Sequence, residues 1–583
     1  MRLRTRNDTP TTDGSDTAKS SVGRRSFLFG AAGAAAAGTL VALEDSPASA
    51  ATPTPTPPSW IPQPGRGATV KPGDSRYLDM MTGNNVRFNA KPEYVRLITT
   101  TQDAEAAVLD AVRAGKKVSV RSGGHCFANF VCNPDVEVIL DLSTMTNVYY
   151  DEKMRAFAIE PGARLLNVYE KLFKDWGVTI PGGICYSVGA GGHIAGGGYG
   201  LLSRSYGLVV DHLYAVEVVT VDEHKNVTAH IATRDSVGTL NDLWWGHTGG
   251  GGGNFGVVTK YWFRSPGAIG SNPSNLLVKA PSKVLVSALT FPWDQINETK
   301  FRRLMTNWNE WHEQYRLPGT PESHLSSLFN LNPKAHGSLG MFTQIDADAP
   351  DAAGVLHRFI QKITDRVGIS TEPMATPSGE LPAMPNFYET KEISWMQATR
   401  TVGTNNPIIT NPTSRGAHKS AYFNKGFTSG QLAVMWRQMT LPTFTNPDTM
   451  MVIFSFGGQV NAQAENATAN AQRNSVFKIC LQTFWQDEKD DDYFLGWERD
   501  TFEGLFAGTG GVPVPSANQD GCYINYPDVD MADPARNKSG VPWSTLYYKG
   551  NYPRLQQVKR SWDPTNYFTH DLGIELPTRG GHS

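Results

Sequence analysis

The sequence predicts an α+β fold that is divided into at least two lobes. The chain has 583 residues, more than one ordinary hydrophobic core accommodates. Between residues 92 and 142, strand-like segments flank one alanine-rich helix, which is the pattern of a compact α/β unit. After Pro281 the pattern changes to alternating strands and amphipathic helices, which predicts a separate lobe.

The first lobe is predicted from two consecutive stretches of the chain. The expected elements of the α/β unit are strands at 95–98, 117–121 and 136–142 and a helix at 103–114. Those of residues 154–265 are a helix at 163–176 and further strands, among them 215–221 and 257–261. We expect the two stretches to be the halves of one domain.

The second lobe is predicted from longer elements. Its expected strands and helices are strands at 283–290, 336–345, 450–456 and 476–485 and helices at 299–315 and 352–363. Trp308 and Trp311 are three residues apart on the first of these helices, so we predict that they pack in the core.

Charge and motif content exclude several classes of function. The formal net charge is -2, the pI is near 6.7, and no long basic run occurs, which argues against nucleic acid or anionic membranes as partners. No His, Asp or Glu cluster has metal-ligand spacing, and the Gly-x-Ser-x-Gly motif of serine hydrolases is absent from the sequence. A small, neutral molecule is the partner that remains.

The N-terminus has the pattern of an export signal. Arg24-Arg25 precedes a short apolar run at 29–43, which is followed by Ala48-Ser49-Ala50. This pattern predicts a twin-arginine signal peptide over residues 1–50 and a Pro-rich linker over 51–76. The alternative is a chance arginine pair before a membrane anchor, but the run is short of the roughly 20 apolar residues that a spanning helix needs. We therefore expect a protein secreted by the twin-arginine translocation machinery, without a membrane anchor.

Two glycine-rich segments each present one nucleophilic side chain. Residues 121–125 read Arg-Ser-Gly-Gly-His, and residues 183–200 carry Cys185 among many glycines. Glycine has no Cβ and reaches positive φ cheaply, so backbone of this kind approaches a ligand closely. A flat, anionic ligand at these loops would meet His125 and Cys185.

A third glycine run lies directly before the strand predicted at 257–261. It comprises Gly249 to Gly253, and its backbone amides are suited to a nest for a pyrophosphate. The alternative is a flexible linker, which the strand that follows at once disfavours.

The two nucleophile-bearing segments resemble the flavin-attachment motifs of the berberine bridge enzyme-like oxidases, within the vanillyl-alcohol oxidase/p-cresol methylhydroxylase (PCMH) superfamily. The blocks Asp242–Thr259, Cys522–Asp528 and Asn551–Phe568 fit the same family. The resemblance covers about residues 77–575 and is loose between 280 and 450.

The resemblance implies a fold and a cofactor. The fold is a PCMH-type FAD-binding domain of two α/β subdomains at 77–270, a substrate domain with an antiparallel sheet and helices at 280–500, and a C-terminal segment at 501–575 that returns to the flavin. The cofactor is bicovalent FAD, with His125 bonded to the 8α-methyl carbon and Cys185 to C6. The other residues that the resemblance assigns to the cofactor are Arg121, Ser122, Gly123, Gly124, Val188, Gly189, Gly191, Gly192, His193, Gly196, Gly197, Gly198, Gly200, Val257, Val258, Asn566 and Phe568.

Catalytic roles follow from the family pattern and from ordinary chemistry. The flavin accepts a hydride, so the protein has to position the substrate carbon and remove the hydroxyl proton. The resemblance makes Tyr526 the base and Tyr523 a substrate contact. A tyrosine has a reference pKa of about 10, so Tyr526 needs neighbouring hydrogen-bond donors or a positive charge that lower its pKa.

In family members, a Gln or Glu on the strand that matches residues 477–485 often assists the base. The matching position in this sequence is Cys480. Lys478 and Gln482 share the same face because strand side chains alternate, and Gln482 is our candidate. His193 and Asp211 are expected to be structural: a buried, hydrogen-bonded histidine and a loop-fixing carboxylate.

The resemblance also bears on the electron acceptor and the cysteines. Val188, three residues after Cys185, leaves space where oxygen attacks in relatives, which favours an oxidase that makes hydrogen peroxide.

With Cys185 on the flavin, Cys126, Cys132, Cys480 and Cys522 remain. Three pairings are open, and short spacing favours Cys126 with Cys132, while buried thiols are the alternative.

The expected function is a secreted FAD-dependent oxidase that converts a carbinol to a carbonyl and uses O2. A sugar hemiacetal, or a secondary alcohol of a glycosylated or polycyclic natural product, is the expected substrate. Two alternatives stay open: a flavin dehydrogenase with a different electron acceptor, and a non-catalytic flavoprotein or glycan-binding module.

Overall fold

The computed structural model describes residues 67–403 and 411–578. The predicted signal peptide at 1–50 and most of the predicted linker lie outside the described residues. The helices are α1 (Tyr77–Met80), α2 (Thr101–Arg113), α3 (Leu165–Trp176), α4 (Ala190–Ala195), α5 (Ser203–Tyr206), α6 (Thr239–Gly246), α7 (Glu298–Gln314), α8 (Ala352–Thr364), α9 (Trp395–Val402), α10 (Ser429–Met439), α11 (Asp491–Leu505), α12 (Trp543–Tyr548) and α13 (Tyr552–Trp562).

The strands form three sheets and confirm the predicted mixture of helix and sheet. They are β1 (Thr69–Val70), β2 (Tyr94–Leu97), β3 (Val118–Arg121), β4 (Val138–Asp141), β5 (Val148–Asp151), β6 (Ala156–Ile159), β7 (Leu213–Val221), β8 (Val227–Thr233), β9 (Val257–Phe263), β10 (Lys283–Pro292), β11 (Ser326–Leu331), β12 (Ser338–Asp346), β13 (Glu372–Pro373), β14 (Lys391–Ser394), β15 (Arg415–Phe423), β16 (Thr449–Ser455) and β17 (Phe477–Trp485).

The first sheet is the predicted α/β unit. Its strand order is β1-β2-β4-β3, with β2, β4 and β3 parallel. Helix α2 begins where the Thr100 side chain accepts from the backbone N–H of Asp103, and it buries an alanine- and valine-rich face. At the end of β3, Arg121 pairs with Asp141 on β4 at 2.7 Å. The loop bearing His125 therefore leaves the carboxyl edge of a parallel sheet from a fixed point.

The second sheet completes the predicted domain. It is antiparallel, in the order β5-β6-β9-β7-β8. Helix α3 begins within the predicted range and buries Leu165, Val168, Tyr169 and Leu172. These positions repeat with the helical period, so one face packs inward. Gly177, with φ of 67°, ends α3, because a residue with a side chain adopts that conformation at a cost.

The third sheet is the core of the second lobe. It runs β13-β10-β12-β11-β16-β17-β15, and β14 pairs with the same edge of β10. The pairs are antiparallel, as predicted for the substrate domain. Trp308 and Trp311 on α7 are buried, which confirms their predicted place in the core. Within the described ranges, no helix is both long and apolar enough to cross a membrane.

The C-terminal segment returns to the first domain, as the resemblance implies. The hydroxyl of Tyr548 donates to the carbonyl of Gly250 at 2.9 Å, and the ammonium of Lys559 donates to the carbonyl of Asn254 at 2.7 Å. Lys559 also pairs with Asp563 at 2.6 Å, and both side chains are fully buried. The tail thus fixes the glycine run at 249–253.

The cysteines differ from the favoured pairing. Among the described residues, Cys126, Cys132, Cys480 and Cys522 are free thiols, so the favoured pairing of Cys126 with Cys132 is wrong. The two sulfurs face different backbone amides: that of Cys126 accepts from Ala128, Phe130 and Val131, and that of Cys132 from Gly83. Burial raises the pKa of Cys126 to about 11, so the thiol stays protonated.

Candidate active site

The two glycine-rich segments and the third sheet line one cavity of about 300 Å³. The glycine run at 249–253 contributes Gly251, Gly252 and Gly253, and the C-terminal segment contributes residues 523–527 and 568–570. The sequence-predicted residues in the lining are Arg121, Ser122, Gly123, Gly124, His125, Cys185, Val188, Gly189, Gly191, Gly192, His193, Gly200, Val258, Gln482, Tyr523, Tyr526 and Phe568.

The two predicted flavin nucleophiles, His125 and Cys185, both lie close to the hydroxyl of Ser187. The Ser187 hydroxyl lies 2.9 Å from Nε2 of His125 and 3.8 Å from Sγ of Cys185. Burial, together with the charge of Arg164, lowers the pKa of His125 to about 4. His125 is therefore neutral near pH 7, the form in which an imidazole nitrogen is a nucleophile.

Glycine is required where the two loops touch. A Cβ on Gly123 would lie 2.3 Å from the backbone nitrogen of Gly189, and a Cβ on Gly189 would lie 2.2 Å from Oγ of Ser122. Both distances are far inside van der Waals contact, so a larger residue at either position would push the loops apart. His125 and Cys185 share one cavity because these glycines allow the approach.

The lining fits the FAD that the resemblance implies. A Cβ on Gly124 or Gly192 would meet no atom within 4 Å, so both glycines present open space toward the cavity. Near Gly252 and Gly253, the buried Nδ1 of His570 has no hydrogen-bond partner among the described residues. A flat ring beside Gly124 and Gly192 and a phosphate-bearing arm along the 249–253 run match this distribution.

Five residues that the resemblance assigned to the cofactor do not line the cavity, namely Gly196, Gly197, Gly198, Val257 and Asn566. Positions 196, 197 and 198 lie behind the lining, where a Cβ would strike Asn525, Asn470 and Val209 respectively. Val257 is buried in β9 opposite Val219, and Asn566 is exposed in a turn with φ of 54°. These five positions therefore lie outside the lining of the cavity.

His193 and Asp211 have the structural roles expected of them. Nε2 of His193 accepts from the backbone N–H of Gly183 at 3.1 Å, and burial lowers the pKa of His193 to about 4. Asp211 receives two bonds from Arg473, at 2.7 and 3.0 Å, and one from the N–H of Leu208 at 2.8 Å. Among the described residues, these bonds occupy the accepting nitrogen of His193 and both oxygens of Asp211.

Tyr526 lies at the centre of an aromatic group. Its hydroxyl is hydrogen-bonded to that of Tyr199, and Phe127 stacks on its ring with 5.5 Å between centroids. The Tyr523 hydroxyl accepts from the N–H of Gly198 at 3.1 Å and from Nδ2 of Asn525 at 3.2 Å. Tyr523 thus ties the C-terminal segment to the Cys185 loop, in addition to lining the cavity.

A buried lysine packs against these tyrosines. Nζ of Lys478 lies 2.9, 4.0 and 4.7 Å from the ring centroids of Tyr199, Tyr523 and Tyr526. Lys478 is 0% exposed, and its ammonium has no hydrogen-bond partner among the described residues. The faces of the tyrosine rings surround Nζ of Lys478, so cation–π attraction stabilises an ammonium at this position.

Burial shifts the pKa values of Tyr526 and Lys478 in opposite directions. It raises the pKa of Tyr526 well above the ordinary value; the Glu380 carboxylate raises it further, and the Tyr199 hydroxyl opposes the shift. Burial lowers the pKa of Lys478 well below the ordinary value. Each group alone disfavours its charged form, because low-polarity surroundings destabilise an isolated charge.

Gln482 has a different partner from the one expected. Its Nε2 donates to Oε1 of Glu380 at 2.6 Å, and Lys478 is the residue of the same strand face that packs on Tyr526. The sequence pointed to this strand face, on which Lys478 contacts the Tyr526 ring and Gln482 contacts Glu380, and the catalytic role of Gln482 stays a prediction. Glu380 itself had no signal, because it lies in an irregular segment between β13 and β14 where the family resemblance is loose.

Comparisons with known proteins agree with this geometry. Family models described as "FAD binding domain" and "Berberine and berberine like" match residues 92–225 and 522–575. The aclacinomycin-N/aclacinomycin-A oxidase of Streptomyces galilaeus is 44% identical over 505 residues, covering 86% of this chain and 89% of that protein. The hexose oxidase of Chondrus crispus is 33% identical over 548 residues, covering 88% and 95%.

A solved structure is similar over the same extent. The crystal structure of a glycopeptide hexose oxidase complexed with teicoplanin has a TM-score of 0.80 and 43% identity, and the match covers 87% of this chain and 99% of that one. Matches of this identity and coverage extend over both lobes and the C-terminal segment. The chain therefore belongs to the berberine bridge enzyme-like family, and it is an FAD-dependent oxidoreductase.

Proposed function

We propose that the protein is a secreted oxidase that converts a carbinol, R2CH–OH, to the carbonyl, R2C=O, and passes the two electrons and two protons to O2 as H2O2. The substrate is a sugar hemiacetal or a secondary alcohol of a glycosylated or polycyclic natural product. The observation that carries the proposal is that Tyr526 lines the same cavity as His125 and Cys185 and that Lys478 packs on the Tyr526 ring. The names of two relatives, a hexose oxidase and an aclacinomycin oxidase, support the substrate class.

We place FAD at the two glycine-rich loops, held covalently by His125 and Cys185. The flavin supplies the hydride acceptor. Support comes from the position of both nucleophiles around Ser187 and from the low pKa of His125. The glycine run at 249–253 would hold the pyrophosphate through its backbone amides.

In this proposal Tyr526 takes the hydroxyl proton of the substrate. A phenolate alone is costly in a buried site, and so is an ammonium alone. Ionised together, Tyr526 and Lys478 form a pair of zero net charge, and their attraction in a low-polarity site offsets the loss of hydration. The hydrogen bond from Tyr199 stabilises the phenolate further.

Export belongs to the proposal as well. Arg24-Arg25 and Ala48-Ser49-Ala50 lie outside the described residues, and they are the motif on which secretion by the twin-arginine machinery depends. That route carries folded proteins, which suits a chain that acquires its cofactor before export.

The test of the activity is direct. Purified yellow protein is incubated without oxygen with a panel of sugars and secondary alcohols, and the flavin absorbance band is followed. Bleaching by a member of the panel, and one H2O2 released per carbonyl formed in air, is the expected result. Bleaching without peroxide in air would identify a dehydrogenase, and no bleaching by any substrate would contradict the proposal.

Flavin should stay with the chain after acid denaturation, because two independent bonds would have to break. Intact-mass measurement of His125→Ala and Cys185→Ala should each show one flavin retained, and the double variant should release it. Cys132→Ala, a buried cysteine away from this cavity, is the matched control and should behave as wild type. Free flavin released by acid from the wild-type protein would contradict the assignment.

Tyr526→Phe should keep its flavin and its fold but lose flavin reduction by about 10²- to 10⁴-fold, because the base is removed. Tyr523→Phe should lose less, since its hydroxyl is bonded to Gly198 and Asn525. Stopped-flow reduction under nitrogen measures both. A Tyr526→Phe rate near that of wild type would assign the base elsewhere.

Lys478→Met should move the pH profile of flavin reduction upward by about one to three pH units. The nearby positive charge favours the phenolate of Tyr526, so its loss raises the pKa of that tyrosine, and a higher pH is needed to ionise it. In the Tyr526→Phe background the same substitution should have little further effect. An unshifted profile would mean that Lys478 acts through packing alone.

Val188→Ile should slow the reaction of the reduced protein with oxygen and leave reduction by substrate unchanged. The added methyl group fills space in a closely packed lining, beside the place proposed for oxygen. Mixing substrate-reduced protein with aerated buffer gives the rate. Equal reoxidation of the two proteins would remove Val188 as the residue that controls oxygen access.

A further inference from the structure

The cavity contains a carboxylate that the proposed reaction does not use. Glu380 lines the same cavity as Tyr526, and its Oε1 accepts from Nε2 of Gln482 at 2.6 Å. Gln482 is 1% exposed and lies in β17, an inner strand paired on both sides with β16 and β15. The two side chains form a carboxylate–amide pair, the Glu380–Gln482 pair.

A tight turn holds Glu380 in place. Ser378 and Leu381 exchange two backbone hydrogen bonds of 3.0 Å around it. Two buried asparagines of β11 and its end fix the turn: Nδ2 of Asn330 donates to the carbonyl of Ser378 at 2.5 Å, and Nδ2 of Asn332 donates to its hydroxyl at 2.7 Å. Such a set of buried bonds fixes Glu380 at the cavity, a geometry that a surface carboxylate does not need.

The turn also depends on Gly379. It has φ of +55°, and a Cβ there would lie 2.5 Å from Cγ of Asn330. The backbone of the turn therefore lies directly against the asparagine that fixes it. The carboxylate of Glu380 is held in one position before any substrate binds, which is the condition for orienting a ligand.

A second polar side chain, Ser326, lies on the side of Lys478 that is opposite to the Glu380–Gln482 pair. In the sheet, Phe454 is the partner of both Leu328 and Lys478. Leu328, Phe454 and Lys478 thus lie side by side in a row across three strands. Gln482 lies on one side of this row, four residues after Lys478 on β17. Ser326 lies on the other side, two residues before Leu328 on β11. Ser326 is 3% exposed, lines the cavity, and its Oγ has no partner among the described residues.

Polar groups on both sides of the reacting position suit a substrate with hydroxyl groups on several carbons. A carboxylate accepts hydrogen bonds on both oxygens, and an amide that has given one N–H to Glu380 keeps a second N–H and its carbonyl. Such a pair binds two neighbouring hydroxyls, one as donor and the other as acceptor or donor. An alcohol without neighbouring hydroxyls would supply this half-buried carboxylate with fewer hydrogen-bond donors.

We propose that the Glu380–Gln482 pair binds hydroxyl groups next to the carbon that is oxidised, so that the substrate class is a sugar ring with free vicinal hydroxyls rather than an isolated secondary alcohol. This inference rests on the proposed oxidase function and narrows its substrate. Burial raises the pKa of Glu380, which is consistent with a carboxyl group that needs further hydrogen-bond donors.

The test measures binding as well as turnover. D-Glucose, D-galactose and their 2-deoxy forms are titrated by calorimetry into the flavin-loaded Tyr526→Phe protein, with and without Glu380→Gln, and kcat/KM is measured in the Tyr526 forms. Glu380→Gln should weaken the binding of a hexose that the wild type oxidises by about 10- to 100-fold, and that of its 2-deoxy form by much less. Glu392→Gln, an exposed glutamate on β14, is the matched control and should change neither.

The outcomes separate this inference from the proposed function. Equal effects of Glu380→Gln on a hexose and its 2-deoxy form would overturn the inference and leave the oxidase in place, as would bleaching only by alcohols that lack a neighbouring hydroxyl. If no alcohol or sugar bleaches the wild-type flavin, the function fails, and calorimetry alone decides whether sugars bind at Glu380. If Glu380→Gln does not fold, a loss of about 10-fold or more on removing the 2-hydroxyl in the wild type supports the inference, and no loss overturns it.

Discussion

The contact between the two glycine-rich loops is the constraint on which the site depends. Gly123 and Gly189 lie so close that a Cβ on either would overlap the other loop. The Ser122 hydroxyl, between them, donates to the carbonyl of Pro161 at 2.5 Å, so the contact is also fixed from behind. Because the loops touch, one nucleophile from each faces the same cavity. Two separate sheets thereby contribute to a single cofactor site.

The catalytic side of the cavity depends on a second set of contacts, made by buried charges. Nζ of Lys419 in β15 bonds to Asp528 at 2.5 Å and to Asp530 at 2.7 Å, and Arg499 binds Asp530 through two bonds of 2.8 Å. Asp528 follows Tyr526 by two residues, so this network holds the tyrosine-bearing segment against the third sheet. Leaving one member of such a network unpaired is costly, which keeps the segment in one position.

Much of the fold, and part of the site, could be predicted from sequence because the signals are local. Helices α2, α3, α7 and α8 follow from the period of their apolar residues, and the loops around His125 and Cys185 follow from glycine patterns. Glu380 could not be found in this way. Its place depends on a turn fixed by Asn330 and Asn332, which are far from it in sequence. The free thiols of Cys126 and Cys132 likewise depend on amides that no spacing rule specifies.

In the proposed function, the positions of Glu380 and Lys478 around Tyr526 would combine substrate binding with proton transfer in one site. The carboxylate raises the pKa of Tyr526, and an ammonium at Lys478 acts against that shift. If substrate hydroxyls donate to Glu380, they spread its charge over new hydrogen bonds and weaken its effect on the tyrosine. Binding of a hydroxyl-rich ring would then favour the phenolate at the moment when a proton has to be accepted. The same carboxylate would link recognition of the substrate to activation of the base.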